Sequence, residues 1–283
     1  MRRQKKRRQH LGVSISVIGL GLIGGSIAKA IKTNTTHRVI GFDIDANTLS
    51  AARSEGILDE VSDDVERVLS QGDIVFICLY PKETIAFIRT HYRAFKDGAM
   101  ITDCAGLKME ITAFFNKMVK NDKQLEFIGG HPMAGSEKKG YENASGLLLA
   151  GAPFILTPHE GNTEACVETL TTLLKAMQFG EVTQMSAQVH DELVAYTSHL
   201  PHIIANALLV RKPSTVTKSL EGGSFRDVTR VGHMNTLLWQ ELIMSNQENV
   251  LKYLDEFNGQ INAVKEAIQS RNTESLVALF EGH

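Results

Sequence analysis

Residues 15–31 constrain this chain more than any other segment. A β-branched run, Ile15-Ser-Val-Ile18, passes into Gly19-Leu20-Gly21-Leu22-Ile23-Gly24 and then directly into a helical pattern. The order of strand, glycine turn and helix is what gives a Gly-x-Gly-x-x-Gly motif its specificity. Gly19 permits the tight turn, Gly21 lets backbone N–H groups approach a pyrophosphate, and Gly24 lets the helix lie close to the strand. Unsatisfied N–H groups at the positive end of the helix dipole would face the phosphates. Ile23, Ile27 and Ile31 recur every four residues and are expected to face a sheet. The segment predicts a dinucleotide site.

An acidic residue follows at the expected distance. Residues 38–43 read as a second strand ending in Asp43, nineteen residues after Gly24. A carboxylate there accepts hydrogen bonds from ribose hydroxyls and repels a 2′-phosphate. Ile44 and Asp45 supply no arginine to neutralise such a phosphate, so NAD is expected rather than NADP. The cofactor residues expected on this reading are Gly19, Leu20, Gly21, Leu22, Ile23, Gly24 and Asp43, with Leu79 and Tyr80 at the end of a later strand.

The bulk composition fits a soluble enzyme, because 283 residues, 43% of them apolar, suffice to bury a sizeable core. No apolar run is expected to reach the roughly 20 residues of a membrane span. Cys78, Cys104 and Cys166 lack CxxC spacing, which predicts a reducing, cytoplasmic setting. Six of the 30 basic residues lie in the first ten positions, leaving 24 against 32 acidic residues. This leader, residues 1–12, has no apolar stretch like that of a secretory signal and is expected to be a flexible, solvated tail. A nucleic-acid partner would rest on the leader alone, so none is expected.

Strand and helix patterns alternate through the first two thirds of the chain. Residues 74–79 form a continuous apolar run, as a strand buried on both faces requires. Residues 100–103, 125–128, 154–157 and 181–185 read as further strands, with helices over 83–95, 109–120 and 163–177. This predicts an α/β fold, a Rossmann-type doubly wound parallel sheet over residues 13–185. From residue 186 the strand signal stops, and an all-helical substrate and dimerisation domain is expected over 186–283. Val250, Leu254, Phe257, Ile261, Val264 and Ile268 are spaced 4, 3, 4, 3, 4 and mark one face of a long helix. Gly259 lowers its propensity without breaking that pattern. The seam is expected to pair with a second copy as a homodimer, although a core helix within one chain has the same periodicity.

Three clusters carry candidate chemistry. Gly129-Gly-His131-Pro-Met-Ala-Gly-Ser136-Glu137 follows the 125–128 strand, at the carboxyl edge where open α/β sheets hold ligands. Its glycines predict an irregular loop that turns the His131 imidazole outward, and histidine suits proton transfer because its ordinary pKa is about 6.5. A merely solvated loop histidine is the plain alternative. In the second cluster His199 and His202 are three apart on a predicted helix and share a face, which Pro201 is expected to kink. No Cys or carboxylate spacing completes a metal site there, so none is expected. In the third, a glycine-led turn through Gly223 presents Arg226 and Arg230, guanidinium forks suited to carboxylates. Surface ion pairs with Glu221 or Asp227 are the alternative reading.

Taken together, these motifs resemble the prephenate and arogenate dehydrogenases of tyrosine biosynthesis. The resemblance covers nearly all of the chain from Val13 onward. It rests on Val17-Ile-Gly-Leu-Gly-Leu-Ile-Gly-Gly-Ser26, Gly130-His-Pro-Met-Ala-Gly-Ser-Glu137, Ser198-His-Leu-Pro-His202 and Phe225-Arg-Asp-Val-Thr-Arg230, with Trp239 beyond. It implies an NAD-dependent oxidoreductase whose small-molecule substrate, prephenate, is a cyclohexadiene with a ring carboxylate and a hydroxyl on opposite carbons. Hydride would leave the hydroxyl-bearing carbon, CO2 would depart, and the aromatised product would be 4-hydroxyphenylpyruvate. The resemblance further implies that His131 takes the hydroxyl proton and that His202 and Arg230 hold the substrate's carboxylates. Ser136, Glu137 and Gly223 would belong to the same substrate site, supported by His199 and Asp103. Trp239 would either close the pocket across a dimer or pack as helix core. Neither a chorismate mutase domain ahead of the core nor an ACT domain after it is expected.

Two positions depart from the family pattern. Many relatives carry a serine in the loop after the 100–103 strand, where it supports the catalytic histidine; here Asp103-Cys-Ala-Gly106-Leu-Lys108 places Gly106 there. Val231-Gly-His233-Met-Asn235 replaces a Ser-Asp-Pro-like helix start. Arogenate, with an amine in place of the keto group, is the alternative substrate; the helical motifs offer no obvious acidic partner for an ammonium, which favours prephenate. A β-hydroxyacid dehydrogenase would need a catalytic lysine on its helical domain, and none lies near His199. A non-catalytic NAD-binding protein would leave the glycine-framed His131 without a purpose.

Overall fold

The computed structural model describes residues 12–118, 123–135 and 138–282. Most of the expected leader (residues 1–11), together with Ser136 and Glu137, lies outside the described residues. The chain divides into two compact units, Met1–His190 and Asp191–His283.

The strands of the first unit are β1 (Ser14–Ile18), β2 (Arg38–Phe42), β3 (Glu60–Ser62), β4 (Ile74–Ile77), β5 (Met100–Asp103), β6 (Glu126–Pro132), β7 (Phe154–Thr157) and β8 (Val182–Gln184). They form one sheet in the order β3-β2-β1-β4-β5-β6-β7-β8. From β3 to β6 all pairings are parallel. The helices are α1 (Leu22–Asn34), α2 (Ala46–Glu55), α3 (Val65–Gln71), α4 (Pro81–His91), α5 (Met109–Met118) and α6 (Glu164–Ala176). The unit ends within α7 (Ala187–Val194).

The doubly wound parallel sheet expected from the sequence is present from β3 to β6, and one antiparallel pairing follows at its edge. β7 runs antiparallel to β6, and β8 is parallel to β7. A parallel return needs a crossover, normally helical. Among the described residues the link from β6 to β7 holds only two short 3-10 turns, Tyr141–Asn143 and Gly146–Leu148, so the chain comes straight back. Between β7 and β8 the helix α6 supplies the crossover, and that pair is parallel. Strand β3, three residues at the edge of the sheet, is not among the strands expected from the sequence.

Alternate side chains of the central strands enter two separate cores. Ile15, Val17, Ile74 and Phe76 pack with Ile27 and Ile31 of α1 and with Leu170, Leu173 and Leu174 of α6. Ile18, Val75, Ile77 and Phe127 pack with Val68 and Leu69 of α3, Ile88 of α4 and Ile111 and Phe115 of α5. Both faces are therefore covered, which is why these strands are apolar throughout instead of alternating. Each such aliphatic side chain contributes about 1.5–3 kcal/mol by leaving water.

The second unit is helical. A π-helical turn, Ala195–His199, joins α7 to α8 (Leu200–Val210), followed by α9 (Gly223–Thr229), α10 (Thr236–Ser245), α11 (Gln247–Gln269) and α12 (Thr273–Glu281). Pro201 does not break the run. The widened turn just before it, in which Leu200 N–H reaches back to the Ala195 carbonyl, accommodates the missing donor. Helix α11 continues through Gly259 as expected, and its seam residue Val250 is buried, yet Ile261 is 50% and Ile268 60% exposed within one chain. Within the helical run Ala187–Val210, residues 193–210 have a mean hydropathy of 1.3 and carry no Asp, Glu, Lys or Arg, so by length and composition alone this helix passes for a membrane span.

The turn after β1 depends on Gly24, where an added Cβ would lie 1.8 Å from the Gly19 carbonyl oxygen. Gly24→Ala is expected to push α1 off β1, lowering stability by about 3 kcal/mol and weakening NAD binding; thermal unfolding and NAD titration check this.

Candidate active site

The glycine turn lies between β1 and α1, at the carboxyl edge of the sheet. Gly19 adopts φ +83°, in the region where L side chains are strained, and donates its N–H to the Phe42 carbonyl at 2.8 Å. Gly21 is the N-cap of α1, no side chain caps that helix, and a Cβ added at Gly21 would meet nothing within 4 Å. Leu22 opens the helix, and Ile23 packs partly buried on the core below. The Leu79 side chain lies against Gly19, and Tyr80, 40% exposed, precedes α4. Asp43, just past β2, accepts from Leu20 N–H at 2.7 Å with one oxygen and from Asp45 N–H at 2.9 Å with the other. The turn and the acidic strand end are thus tied to each other. An uncapped helix N-terminus with open space before it, beside a carboxylate, suits a dinucleotide's pyrophosphate and ribose.

His131 stands elsewhere on the same edge. The sequence reading put it in an irregular loop, and this is corrected: it lies within β6, paired with Ile155 of β7. The glycines at 129 and 130 extend the strand because β7 returns antiparallel beside it, so the ladder continues past Ile128. His131 is fixed through its neighbour. Asp103 at the end of β5 accepts from Gly130 N–H at 3.1 Å and from Ala105 N–H at 2.9 Å. Lys108, fully buried, pairs with the equally buried Asp103 and donates to the Gly130 carbonyl at 2.6 Å. Both backbone polar groups of the residue before His131 are therefore held by one internal ion pair.

The His131 ring meets a second imidazole. Its Nδ1 is 2.9 Å from Nε2 of His190 on α7, the two rings edge-to-face with centroids 5.1 Å apart. Among the described residues no group of three or more His, Cys, Asp or Glu side chains forms a metal site. Sequence reasoning missed both His190 and Lys108. Lys108 could have been flagged by its place five residues after Asp103; for His190, which immediately precedes Asp191, no local pattern signals the partner. Close by in the sheet, the Cys78 and Cys104 sulfurs are 3.6 Å apart after β4 and β5. Burial, and then the neighbouring Cys78, push the Cys104 thiol well above its ordinary range, so it stays protonated.

The second unit holds the other expected residues. His202 donates its Nδ1–H to the Ser198 carbonyl at 2.8 Å and stacks on Trp239, with centroids 3.9 Å apart and planes at 29°. His199, buried in the π-turn, meets the Trp239 ring edge-on at 5.8 Å. Trp239 thus packs on histidines of its own chain. Burial lowers the His202 pKa; the Ser198 bond opposes this, and the Arg230 guanidinium adds to the lowering. Arg230 itself is exposed, in the 3-10 turn after α9, the helix that Gly223 opens. Of the ion pairs weighed for the arginines, the Glu221 carboxylate is engaged by Lys212.

An uncapped glycine turn, an acidic second strand and a histidine pinned at the same sheet edge define a dinucleotide-dependent oxidoreductase. Comparison with known proteins narrows the class. The model of the prephenate dehydrogenase nucleotide-binding domain matches residues 27–180, and that of the prephenate dehydrogenase dimerization domain matches residues 186–282. The prephenate dehydrogenase of Bacillus subtilis is 30% identical over 275 residues, spanning 95% of this chain and 73% of that protein. The crystal structure of prephenate dehydrogenase from A. aeolicus, in complex with hydroxyphenyl propionate and NAD+, superposes with TM-score 0.85 at 27% identity over 97% of each chain. That of Synechocystis arogenate dehydrogenase does so with TM-score 0.79, also at 27% identity, over 95% of this chain and 97% of that one. The chain belongs to the prephenate dehydrogenase family and is an NAD-dependent oxidoreductase.

Removing one partner of a buried ion pair leaves an uncompensated charge. Lys108→Met is expected to lower stability by about 3–5 kcal/mol, and the double variant Asp103→Leu/Lys108→Met to recover part of that loss. Urea unfolding of both variants checks the difference.

Proposed function

We propose that this protein catalyses the NAD+-dependent oxidative decarboxylation of prephenate to 4-hydroxyphenylpyruvate. The observation that carries the reading is His131, held at the carboxyl edge of the sheet by the buried Asp103–Lys108 pair in a chain of this family. When bound, NAD+ supplies the hydride acceptor. His131 takes the proton of the substrate hydroxyl as the ring carbonyl develops and returns it to the same oxygen when loss of CO2 makes the ring aromatic. Its Nδ1 faces His190, so Nε2 is the nitrogen that receives the proton. Loss of CO2 with aromatisation supplies the driving force, and the protein's part is to orient the ring and manage that one proton. Asp43 excludes a 2′-phosphate and selects NAD over NADP.

We assign the carboxylates of the substrate to His202 and Arg230 and keep Gly223, Ser136 and Glu137 as candidate substrate-binding residues; Trp239 stacks on His202 and meets His199 edge-on. Arogenate is the second reading, favoured by the likeness to the Synechocystis enzyme. The protein acts as a homodimer. The half-exposed seam of α11 and the exposed apolar residues Leu193 and Val210 lie in the segment matched by the dimerization-domain model, and a second copy covers them. Its three cysteines are free, in keeping with a cytoplasmic setting.

The test is nicotinamide reduction with prephenate or arogenate, each with NAD+ or NADP+. Turnover is expected with prephenate and NAD+. His131→Asn should reduce turnover by about 100-fold or more while NAD affinity stays nearly intact; unchanged turnover would remove His131 as proton acceptor.

A second expectation follows from His202. Its lowered pKa leaves it neutral near pH 7, with Nδ1–H given to Ser198 and Nε2 a lone pair. A carboxylate needs a donor there, so binding must raise the pKa and take up a proton, and affinity should increase as pH falls from about 8 towards 6. Calorimetry of prephenate binding without NAD+, in buffers of different ionisation heat, should show proton uptake that His202→Gln abolishes. No uptake in the unaltered protein would take His202 out of the carboxylate site.

A further inference from the structure

The proton-acceptor role of His131 demands one particular tautomer. A neutral imidazole carries its proton on one nitrogen only, and the nitrogen facing the substrate hydroxyl must be the bare one. With Nε2 as the acceptor, Nδ1 must hold the proton and needs a partner that accepts it. Gly106, in the loop after β5, has no side chain to offer this ring. What meets His131 Nδ1 at hydrogen-bonding distance is Nε2 of His190, at 2.9 Å.

The surroundings of His190 suit a fixed partner. Its side chain is fully buried, and its backbone N–H is tied to the Ser186 carbonyl at 2.9 Å in the first turn of α7. The Ser186 hydroxyl accepts from Val189 N–H at 3.2 Å and so anchors the start of that turn. The opposite side of the contact is equally constrained, since His131 lies in a paired strand whose preceding residue is gripped by Asp103 and Lys108. Neither ring is placed by a flexible loop.

We infer that His190 is a positioning residue for His131: its Nε2 lone pair accepts the His131 Nδ1–H and thereby reserves His131 Nε2 for the substrate proton. Only one proton fits between two nitrogens 2.9 Å apart, so the pair has two arrangements. In one, His131 donates and its Nε2 is a base. In the other, His190 donates and His131 carries its proton on Nε2, where it blocks catalysis. When His131 takes the substrate proton at Nε2 it becomes imidazolium, and its Nδ1–H then makes a stronger, charge-assisted bond to the same His190 nitrogen. A carboxylate plays the corresponding part in a Ser-His-Asp triad; an imidazole orients the ring without placing a negative charge against it.

The inference rests on His131 being the proton acceptor, and its test has an arm that does not depend on activity. Long-range 1H–15N spectra of the unaltered protein, with the His131 signals identified by their loss in His131→Asn, are expected to show Nδ1 protonated and Nε2 bare. His190→Gln, whose side-chain carbonyl can accept the same proton, should keep that tautomer and most of kcat. His190→Ala should mix the two tautomers and lower kcat on the order of 10–100-fold, with the KM for NAD+ and prephenate nearly unchanged. A proton on His131 Nε2 in the unaltered protein would overturn the inference, as would a tautomer and kcat in folded His190→Ala equal to those of the unaltered protein. If the tautomer arm succeeds and prephenate is not turned over, the reading of the substrate fails and the pairing stands.

Discussion

The buried ammonium of Lys108 is the constraint on which the geometry of the first unit turns. Taking a charge wholly out of water costs several kcal/mol, and only close, complementary partners offset it. Lys108 finds them in the Asp103 carboxylate and the Gly130 carbonyl. Asp103 in turn accepts from Gly130 N–H and Ala105 N–H. The end of β5, the segment entering α5 and the end of β6 are thereby locked together. A buried ion pair of this kind adds little net stability compared with an apolar replacement, yet breaking it is costly. What it contributes is position, and the position it sets is that of the residue before His131.

The reversal of chain direction after β6 completes that arrangement. Had β7 been parallel, the link from β6 would have required a crossover, and the glycines before His131 would have led out of the sheet. The antiparallel return instead pairs Gly129 with Thr157 and His131 with Ile155. The sheet therefore presents two features along its carboxyl edge, each with its own support. The glycine turn is tied to Asp43 through Leu20, and the histidine is tied to the ion pair through Gly130. Neither needs the other to be in place, so cofactor affinity and proton transfer are separable properties of this fold.

In the helical unit, stacking does the work that an internal charge does in the first. Trp239 spreads over His202 and meets the edge of His199, and Asn246 bridges the Asp191 carbonyl at 2.7 Å and His199. The Ser198 carbonyl binds Nδ1 of His202, which settles the tautomer of that ring as His190 is inferred to settle that of His131. His202 is thus oriented by a backbone carbonyl, and His131 is inferred to be oriented by a second imidazole. The same unit leaves much of its apolar surface uncovered in one chain, including Ile261 and Ile268 of α11 and Leu193 and Val210 of the preceding helices. Burying such surface against a second copy would provide the association energy for the dimer proposed above.

How much could be read from the sequence follows from the range of each signal. The glycine turn, Asp43 at its strand end, the buried strands β4 and β5, and the 23-residue helix α11 were legible because each is written in a contiguous segment. Periodicity and residue spacing report local geometry directly. His131 was legible as a chemical group, but its strand-end setting was not, because that depends on the direction of β7. The pairing of Lys108 with Gly130 joins residues 22 apart, and that of His131 with His190 joins residues 59 apart. No period in the chain encodes such contacts. By itself the sequence determined a dinucleotide fold, a helical second unit and the family. Only the tertiary structure decided which charge is buried, which nitrogen of His131 is engaged and where the sheet reverses, because burial and hydrogen-bond partnership belong to segments packed together.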